Sequence, residues 1–173
     1  MQIGSGNRLG RSVRLGCHAP LGLPIEILRH GPGAPALRLG LGPGWRPSQS
    51  LNQLQHLFQD NSFWAAGRSQ SDLRRMLRGS EAAVSAWQGH RLVGFGRATS
   101  DGIFRAVLWD VVVIRDLEGQ GLGRRLVETL LMASPVAAAE RVYLMTTNSQ
   151  GFYERLGFRE VSIQKLMLKS EKY

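Results

Sequence analysis

The sequence predicts an α+β fold: a mixed, mostly antiparallel sheet flanked by helices, with a glycine-rich loop leading into a central helix. Three observations carry that reading. Strand-like runs between residues 82 and 114 follow one another through tight turns, the pattern of an antiparallel meander. A helix-spaced segment then separates them from a further strand, which implies a parallel crossover. Between the meander and that helix lies the polar, Gly-rich stretch Arg115–Gly123.

Taken in order, residues 1–47 hold ten Gly and six of the seven Pro of the 173-residue chain. Such a stretch buries little apolar surface against its ordering entropy. Residues 1–35 are therefore expected to be a flexible Gly/Pro/Arg-rich segment, and 36–173 the folded domain. Within 1–47, Ile25–Leu28 and Ala36–Leu41 could each form a strand, the second by its alternation of Leu37, Leu39 and Leu41 with Arg38 and Gly40. Ser50 and Gln53 read as a capping box opening a helix with Leu51, Leu54, Leu57 and Phe58 on one face. Ser69 and Asp72 open a second helix, with Leu73, Met76 and Leu77 inward, and Gly79 stops it.

Ala82–Trp87, Arg91–Thr99 and Ile103–Ile114 are the three meander strands. Strict alternation along the last puts Val107, Trp109, Val111 and Val113 on one face, and Ala106, Leu108, Asp110, Val112 and Ile114 on the other. Arg124–Ala133 is the central helix, ended by Pro135. Arg141–Met145 is the fifth strand, Gly151–Leu156 a short helix, and Val161–Leu168 a final strand.

Composition excludes several classes. One cysteine, Cys17, permits no intrachain disulfide. One Cys and four scattered His make no structural zinc site, so no metal is expected. No apolar run approaches the roughly 18 residues of a membrane span. The first residues are Arg-rich but lack the apolar core of a secretory signal. A cytoplasmic protein is the expectation. The net charge of +9, with 22 Lys and Arg against 13 Asp and Glu, favours acidic partners, phosphate-bearing molecules among them. No basic helix or aromatic-rich RNA-binding signature argues for nucleic acid.

The chemistry concentrates in Glu118-Gly-Gln-Gly-Leu-Gly-Arg-Arg125. Three glycines in five residues let backbone amides approach a ligand closely. The helix behind them starts with unpaired N–H groups at its positive dipole end, and Arg124 and Arg125 add charge. The arrangement favours a pyrophosphate. It is not a P-loop, because Arg124-Arg125 replaces the required Lys-Ser/Thr, and it is not the dinucleotide pattern, because Leu126 stands where Gly or Ala is needed.

At these residues the sequence resembles the GNAT superfamily of acyl-CoA-dependent N-acetyltransferases. Gly121 and Gly123 match the small positions of its cofactor motif, while Glu118 departs from the usual Gln or Arg. A second block, Asn148 to Phe158, resembles the family's closing motif of Asn, Tyr and Gly-Phe, with a shortened Asn148–Tyr153 interval. The resemblance covers residues 36–168 and is specific from Trp109 to Phe158. Leu108-Trp-Asp-Val111 followed by Gly-Gln-Gly-Leu-Gly is similar to the cyanobacterial and plastid branch, whose enzymes acetylate protein lysines, N-termini or arylalkylamines.

The resemblance implies acetyl-CoA as cosubstrate, transfer to a primary amine by direct attack, and roles for particular residues. The amides of Gly121, Leu122 and Gly123, with the Arg124 side chain, would hold the pyrophosphate. Val111 and Val113 would pair with the pantetheine amides where the fourth and fifth strands part, and the Val111 amide would polarise the thioester. Asn148 would contact the cofactor. Tyr153, which has a proton to give at neutral pH, would be the general acid for the departing thiolate. Asp110 is the one carboxylate on the fourth strand, a candidate base or else a structural acid. A base-free route, or a water ordered by Tyr143, Thr146 or Thr147, stays open beside it. Trp109 either walls the acceptor pocket or packs in the core, and Phe63 and Trp64 lie between helices that border the acceptor site in the family. The partners are then acetyl-CoA and an amine acceptor, protein or small molecule. No membrane is involved, and a homodimer remains open. The alternatives are a CoA-binding regulatory module without turnover and, more remotely, a nucleic-acid-binding protein using the Arg-rich N-terminal segment.

Overall fold

The computed structural model describes residues 22–169. The flexibility expected of residues 1–21, and Cys17 with it, lies outside the described residues. Five strands form one sheet in the order β1-β2-β3-β4-β5. They are β1 (Ile25–His30), β2 (Ala82–Gln88), β3 (Arg91–Ser100), β4 (Arg105–Val113) and β5 (Arg141–Tyr143). The first four pair antiparallel, and β5 runs parallel to β4. The helices are α1 (Pro35–Arg38), α2 (Ser50–Asn61), α3 (Gln70–Arg78), α4 (Leu122–Leu131), α5 (Ser134–Ala137) and α6 (Gln150–Glu154).

The sheet is sandwiched. Leu126 and Leu130 of α4 press on one face, so close that a Cβ on Gly94 or Gly96 would sit 3.0 Å from their Cδ1 atoms. Glycine at these two positions lets the helix backbone approach the sheet. Helix α2 covers the other face, where Phe58 meets Phe95 edge-on at 5.7 Å. The buried Leu54, Leu57, Leu73 and Leu77 complete that layer with α3. Helix α3 opens as expected, with the Asp72 N–H donating to Ser69 Oγ at 3.1 Å.

Several expectations are corrected. All six residues of β1 pair with β2, from Ile25 opposite Gln88 to His30 opposite Ala83, so the fold begins before residue 36. The Gly and Pro around this run punctuate it without dissolving it. Ala36–Leu41 is not a strand. Pro35 starts the short helix α1, with Leu37 buried beneath it. The capping box is absent: Ser50 lies inside α2 and its hydroxyl donates to the Leu37 carbonyl at 2.8 Å, while Gln53 Nε2 bonds the Ser48 and His90 carbonyls. Val161–Leu168 joins no strand ladder, and Ile163, Leu166, Met167 and Leu168 are exposed. Alternation marks a segment able to pair, but pairing also needs a neighbouring edge in reach.

Strand β4 departs from strict alternation. Arg97 faces Trp109 and Phe95 faces Val112, so Gly96 alone stands opposite both Asp110 and Val111. This is a β-bulge, and Asp110 takes the left-handed conformation there, with φ +53°. The extra residue shifts the pleat by one. Ahead of it, Trp109 shares a face with Thr99, to whose Oγ1 its indole donates at 2.8 Å. Beyond it, Val111 packs near Gly96 on the α4 side. The expectation that Trp109, Val111 and Val113 share one face is thereby overturned.

Candidate active site

The site is built where β4 and β5 part. Their pairing covers only Arg105–Arg141, Ala106–Val142 and Val107–Tyr143. From Leu108 onward β4 has no β5 partner on that side. The Ile114 N–H donates to the Val93 carbonyl at 3.0 Å, toward β3. Backbone directions alternate along a strand, so the Val113 and Val111 N–H groups point to the open side.

The loop after β4 leads into α4 through Gly121, which sits at φ +81°, a conformation glycine adopts without steric cost. A Cβ there would meet nothing within 4 Å. The first helical bond runs from the Arg125 N–H to the Gly121 carbonyl, 3.1 Å. The N–H groups of Leu122, Gly123 and Arg124 therefore lack an intrahelical acceptor, at the positive end of the helix.

One cavity of about 390 Å³ joins these parts. Val111, Val113, Gly121, Gly123, Arg124 and Tyr153 line it, as do Glu118, Gly119, Ser149, Phe152, Arg155 and Leu156. Helix α6 forms its far wall. Phe152 reaches over α4, with Cζ 3.5 Å from where a Gly123 Cβ would be. Tyr153 packs edge-on against Phe152 at 4.8 Å and Phe158 at 5.9 Å. Burial pushes the Tyr153 phenol above its ordinary value near 10, so it keeps its proton at neutral pH.

Three expected site residues do not line the cavity. The Leu122 side chain is buried in the core, and only its amide belongs to the helix start. Asn148 is exposed, its Oδ1 accepting from Ser149 Oγ at 3.3 Å, and Ser149 takes the place at the wall. Asp110 is turned away by its bulge. Its Oδ1 accepts from Arg68 Nη1 at 3.0 Å and its Oδ2 from Arg97 Nε at 2.6 Å, and the side chain is 5% exposed. Both oxygens are engaged on the opposite side of the sheet, so a role as base is not supported. Of the water-ordering candidates, Tyr143 ends the short β5 pairing, and Thr146 Oγ1 accepts the Ser149 N–H at 3.1 Å.

Phe152, Arg155 and Leu156 carry a signal that the sequence reading passed over. In the helix expected over Gly151–Leu156, spacings of three and four residues put all three on one face; in the structure Phe152 lies in α6 and Arg155 and Leu156 in the turn that follows, all lining the cavity. Arg124 is shared: its Nε donates to Glu128 at 2.7 Å while it lines the cavity. Arg155 and Arg124 supply positive charge near the open amides, and Glu118 offsets part of it. An extended molecule carrying a phosphate group and amides fits these donors, as the phosphopantetheine arm of an acyl-CoA would require. Among the described residues, no group of three or more His, Cys, Asp or Glu could hold a metal ion, and no helix is long and apolar enough to cross a membrane.

Comparison with known proteins agrees with this geometry. The profile of the acetyltransferase (GNAT) family matches residues 51–158. An uncharacterized N-acetyltransferase, ycf52, of Pyropia yezoensis is 33% identical over 114 residues, covering 63% of this chain and 64% of that protein. The chloroplastic serotonin N-acetyltransferase 2 of rice (Oryza sativa subsp. japonica) is 39% identical over 97 residues, covering 53% of this chain and 48% of that protein. In both cases the match spans less than two-thirds of the relative's own length. A GNAT family acetyltransferase of Streptococcus pneumoniae superposes with a TM-score of 0.63 at 21% identity, over 86% of this chain and 99% of that one, which shows the shared fold.

Proposed function

The chain belongs to the acetyltransferase (GNAT) family, and on that premise we propose that it transfers the acetyl group of acetyl-CoA to a primary amine by direct attack. The observation that carries this is the convergence of three elements on one cavity: the open amides of β4, the open start of α4 and the protonated Tyr153.

The amides of Leu122, Gly123 and Arg124, with the Arg124 and Arg155 side chains, hold the pyrophosphate. The Val113 N–H orients the pantetheine arm by strand-like pairing. The Val111 N–H, pointing to the same open side, polarises the thioester carbonyl where charge develops. When bound, acetyl-CoA supplies the activated acyl group. Tyr153 holds the proton that the departing thiolate takes up. With Asp110 engaged elsewhere, the amine reacts from its neutral fraction, and the proton its nitrogen sheds on forming the amide restores the Tyr153 phenol.

The acceptor side is reached through the end of α2. Asn61 Oδ1 accepts the Arg115 N–H at 3.1 Å, which fastens that end to the start of the glycine loop. Just beyond it, Phe63 and Trp64 form an edge-on pair with centroids 5.2 Å apart, 75% and 49% exposed. Two exposed rings at this place favour an arylalkylamine, and serotonin, which the rice relative's name gives, is such an amine. Thiol release from acetyl-CoA, measured against arylalkylamines, lysine peptides and N-terminal peptides, tests the proposal. Turnover strongest with the arylalkylamines is expected. Tight acetyl-CoA binding with no turnover on any amine would replace it with a CoA-binding regulatory module. The rice relative is chloroplastic by name, which sets a plastid beside the cytoplasm expected from the sequence, and a fluorescent fusion of the full chain decides between them.

A further inference from the structure

We propose that Asp110 is a positioning residue whose carboxylate, gripped by Arg68 and Arg97, locks the β4 bulge that aims the Val111 and Val113 amides into the cavity. The proposal rests on the acetyl-CoA reading of that cavity and deepens it.

The argument starts from backbone conformation. Among the described residues with positive φ that are not glycine, Asp110 alone lies inside a strand. Aspartate tolerates the left-handed region better than most residues, because its short side chain can bond locally, but it prefers other conformations. Something must hold it there. The carboxylate bonds Arg97 at 2.6 Å, across the ladder on β3, and Arg68 at 3.0 Å, in the loop between α2 and α3. Each guanidinium is itself seated on a ring: Arg97 lies 5.7 Å from the Trp109 centroid and Arg68 5.2 Å from the Phe58 centroid. The Arg68 loop is tied to α2 twice, by Gln55 Nε2 to the Arg68 carbonyl at 2.9 Å and by the Gly67 N–H to Gln59 Oε1 at 2.9 Å. A nearly buried carboxylate is thus braced between a strand and a helix-anchored loop.

The bulge matters because of what it redirects. One extra residue opposite Gly96 exchanges which β4 amides face β3 and which face the open side. Without it, Val111 and Val113 would turn their N–H groups toward β3. The clamp therefore acts on the cavity through the backbone, while its own atoms stay on the other face of the sheet. It also connects the Phe63–Trp64 loop, on the acceptor side, to the strand that aligns the thioester.

Three single substitutions and one pair test this, with acetyl-CoA affinity by calorimetry, kcat across pH 6 to 9, and circular dichroism for the fold. Asp110→Asn keeps a side chain suited to the left-handed region and able to accept one guanidinium N–H. It should retain kcat within about tenfold of the native chain. Asp110→Ala keeps neither property and should lose on the order of 10²-fold, as misaligned reactants do, with a several-fold rise in acetyl-CoA Kd. Arg68→Gln, at the partly exposed arm, should fold and give an intermediate loss. The Asp110→Asn/Arg68→Gln pair should be no worse than the poorer single, as expected of groups acting as a unit. The pH profile should keep its shape in every variant. An acid limb abolished in Asp110→Asn would make Asp110 the base and overturn the proposal. Native kcat and Kd in both Asp110→Ala and Arg68→Gln would overturn it as well. If no amine turns over even with the native chain, the acetyltransfer reading fails, while the acetyl-CoA affinities still decide the clamp.

Discussion

At the scale of single residues, Gly121, Gly123 and Tyr153 line one cavity, while the Asp110 carboxylate is held by Arg68 and Arg97. Gly121 and Gly123 stand out in the chain because three glycines in five residues mark a turn and a helix start, both local events, whereas Tyr153 stands out through the resemblance of Asn148 to Phe158 to the family's closing motif. The role of Asp110 depends on Arg68, 42 residues away, and on a bulge at a non-glycine residue, neither of which period-2 alternation can show. Tyr153 yields a direct prediction. Tyr153→Phe keeps the ring contacts with Phe152 and Phe158 and removes the hydroxyl. Turnover should fall on the order of 10²-fold where proton transfer limits the rate, with acetyl-CoA Kd little changed, because a proton given in the transition state adds little to ground-state binding. Since burial raises the phenol's pKa, the group stays protonated from pH 6 to 9. The ratio of native to variant kcat should therefore be flat over that range. Equal kcat at every pH would leave Tyr153 a packing residue.

At the scale of elements, the meander and the crossover helix were readable because each meets its partner through a short connection. The strand expected at Val161–Leu168 pairs with neither β1 nor β5, the two edges of the sheet, and α1 replaces a strand because Pro35 presets a helical start. The glycine loop with α4 behaves as one unit, and Gly121→Val probes it. At φ +81° a side chain costs roughly 1–2 kcal/mol in backbone strain, and a β-branched one more. Within the protein the new Cβ meets no atom within 4 Å, so the chain should still fold, at lower stability. The space it fills is the space beside the open amides, so acetyl-CoA binding should be lost. Calorimetry on a variant with unchanged circular dichroism checks this, and native affinity would remove the helix start from the pyrophosphate site.

At the scale of the whole molecule, β1 closes the sheet opposite the cavity, and its last residue makes stability depend on pH. His30 Nε2 lies 2.7 Å from Ser85 Oγ, which accepts the Trp87 indole N–H at 2.8 Å. Burial lowers the His30 pKa from 6.5 to about 4. Between those values the unfolded chain binds a proton that the native chain does not. His30 therefore makes stability fall as pH drops from 6.5 toward 4, by about 1.4 kcal/mol per pH unit at most, and flatten below. Chemical denaturation of the native chain and of His30→Gln should show that slope reduced in the variant, and parallel curves would remove His30 as its source. The parting of β4 from β5 has a kinetic consequence. The contacts proposed there, and at the start of α4, are with parts of acetyl-CoA that acetyl transfer would leave unchanged. On the proposed function they would grip the spent thiol about as firmly as the loaded thioester, since only the Val111 amide and the Tyr153 hydroxyl would meet the reacting group. An acetyltransferase so built should be inhibited by free CoA competitively with acetyl-CoA, which initial rates measured with added CoA would check.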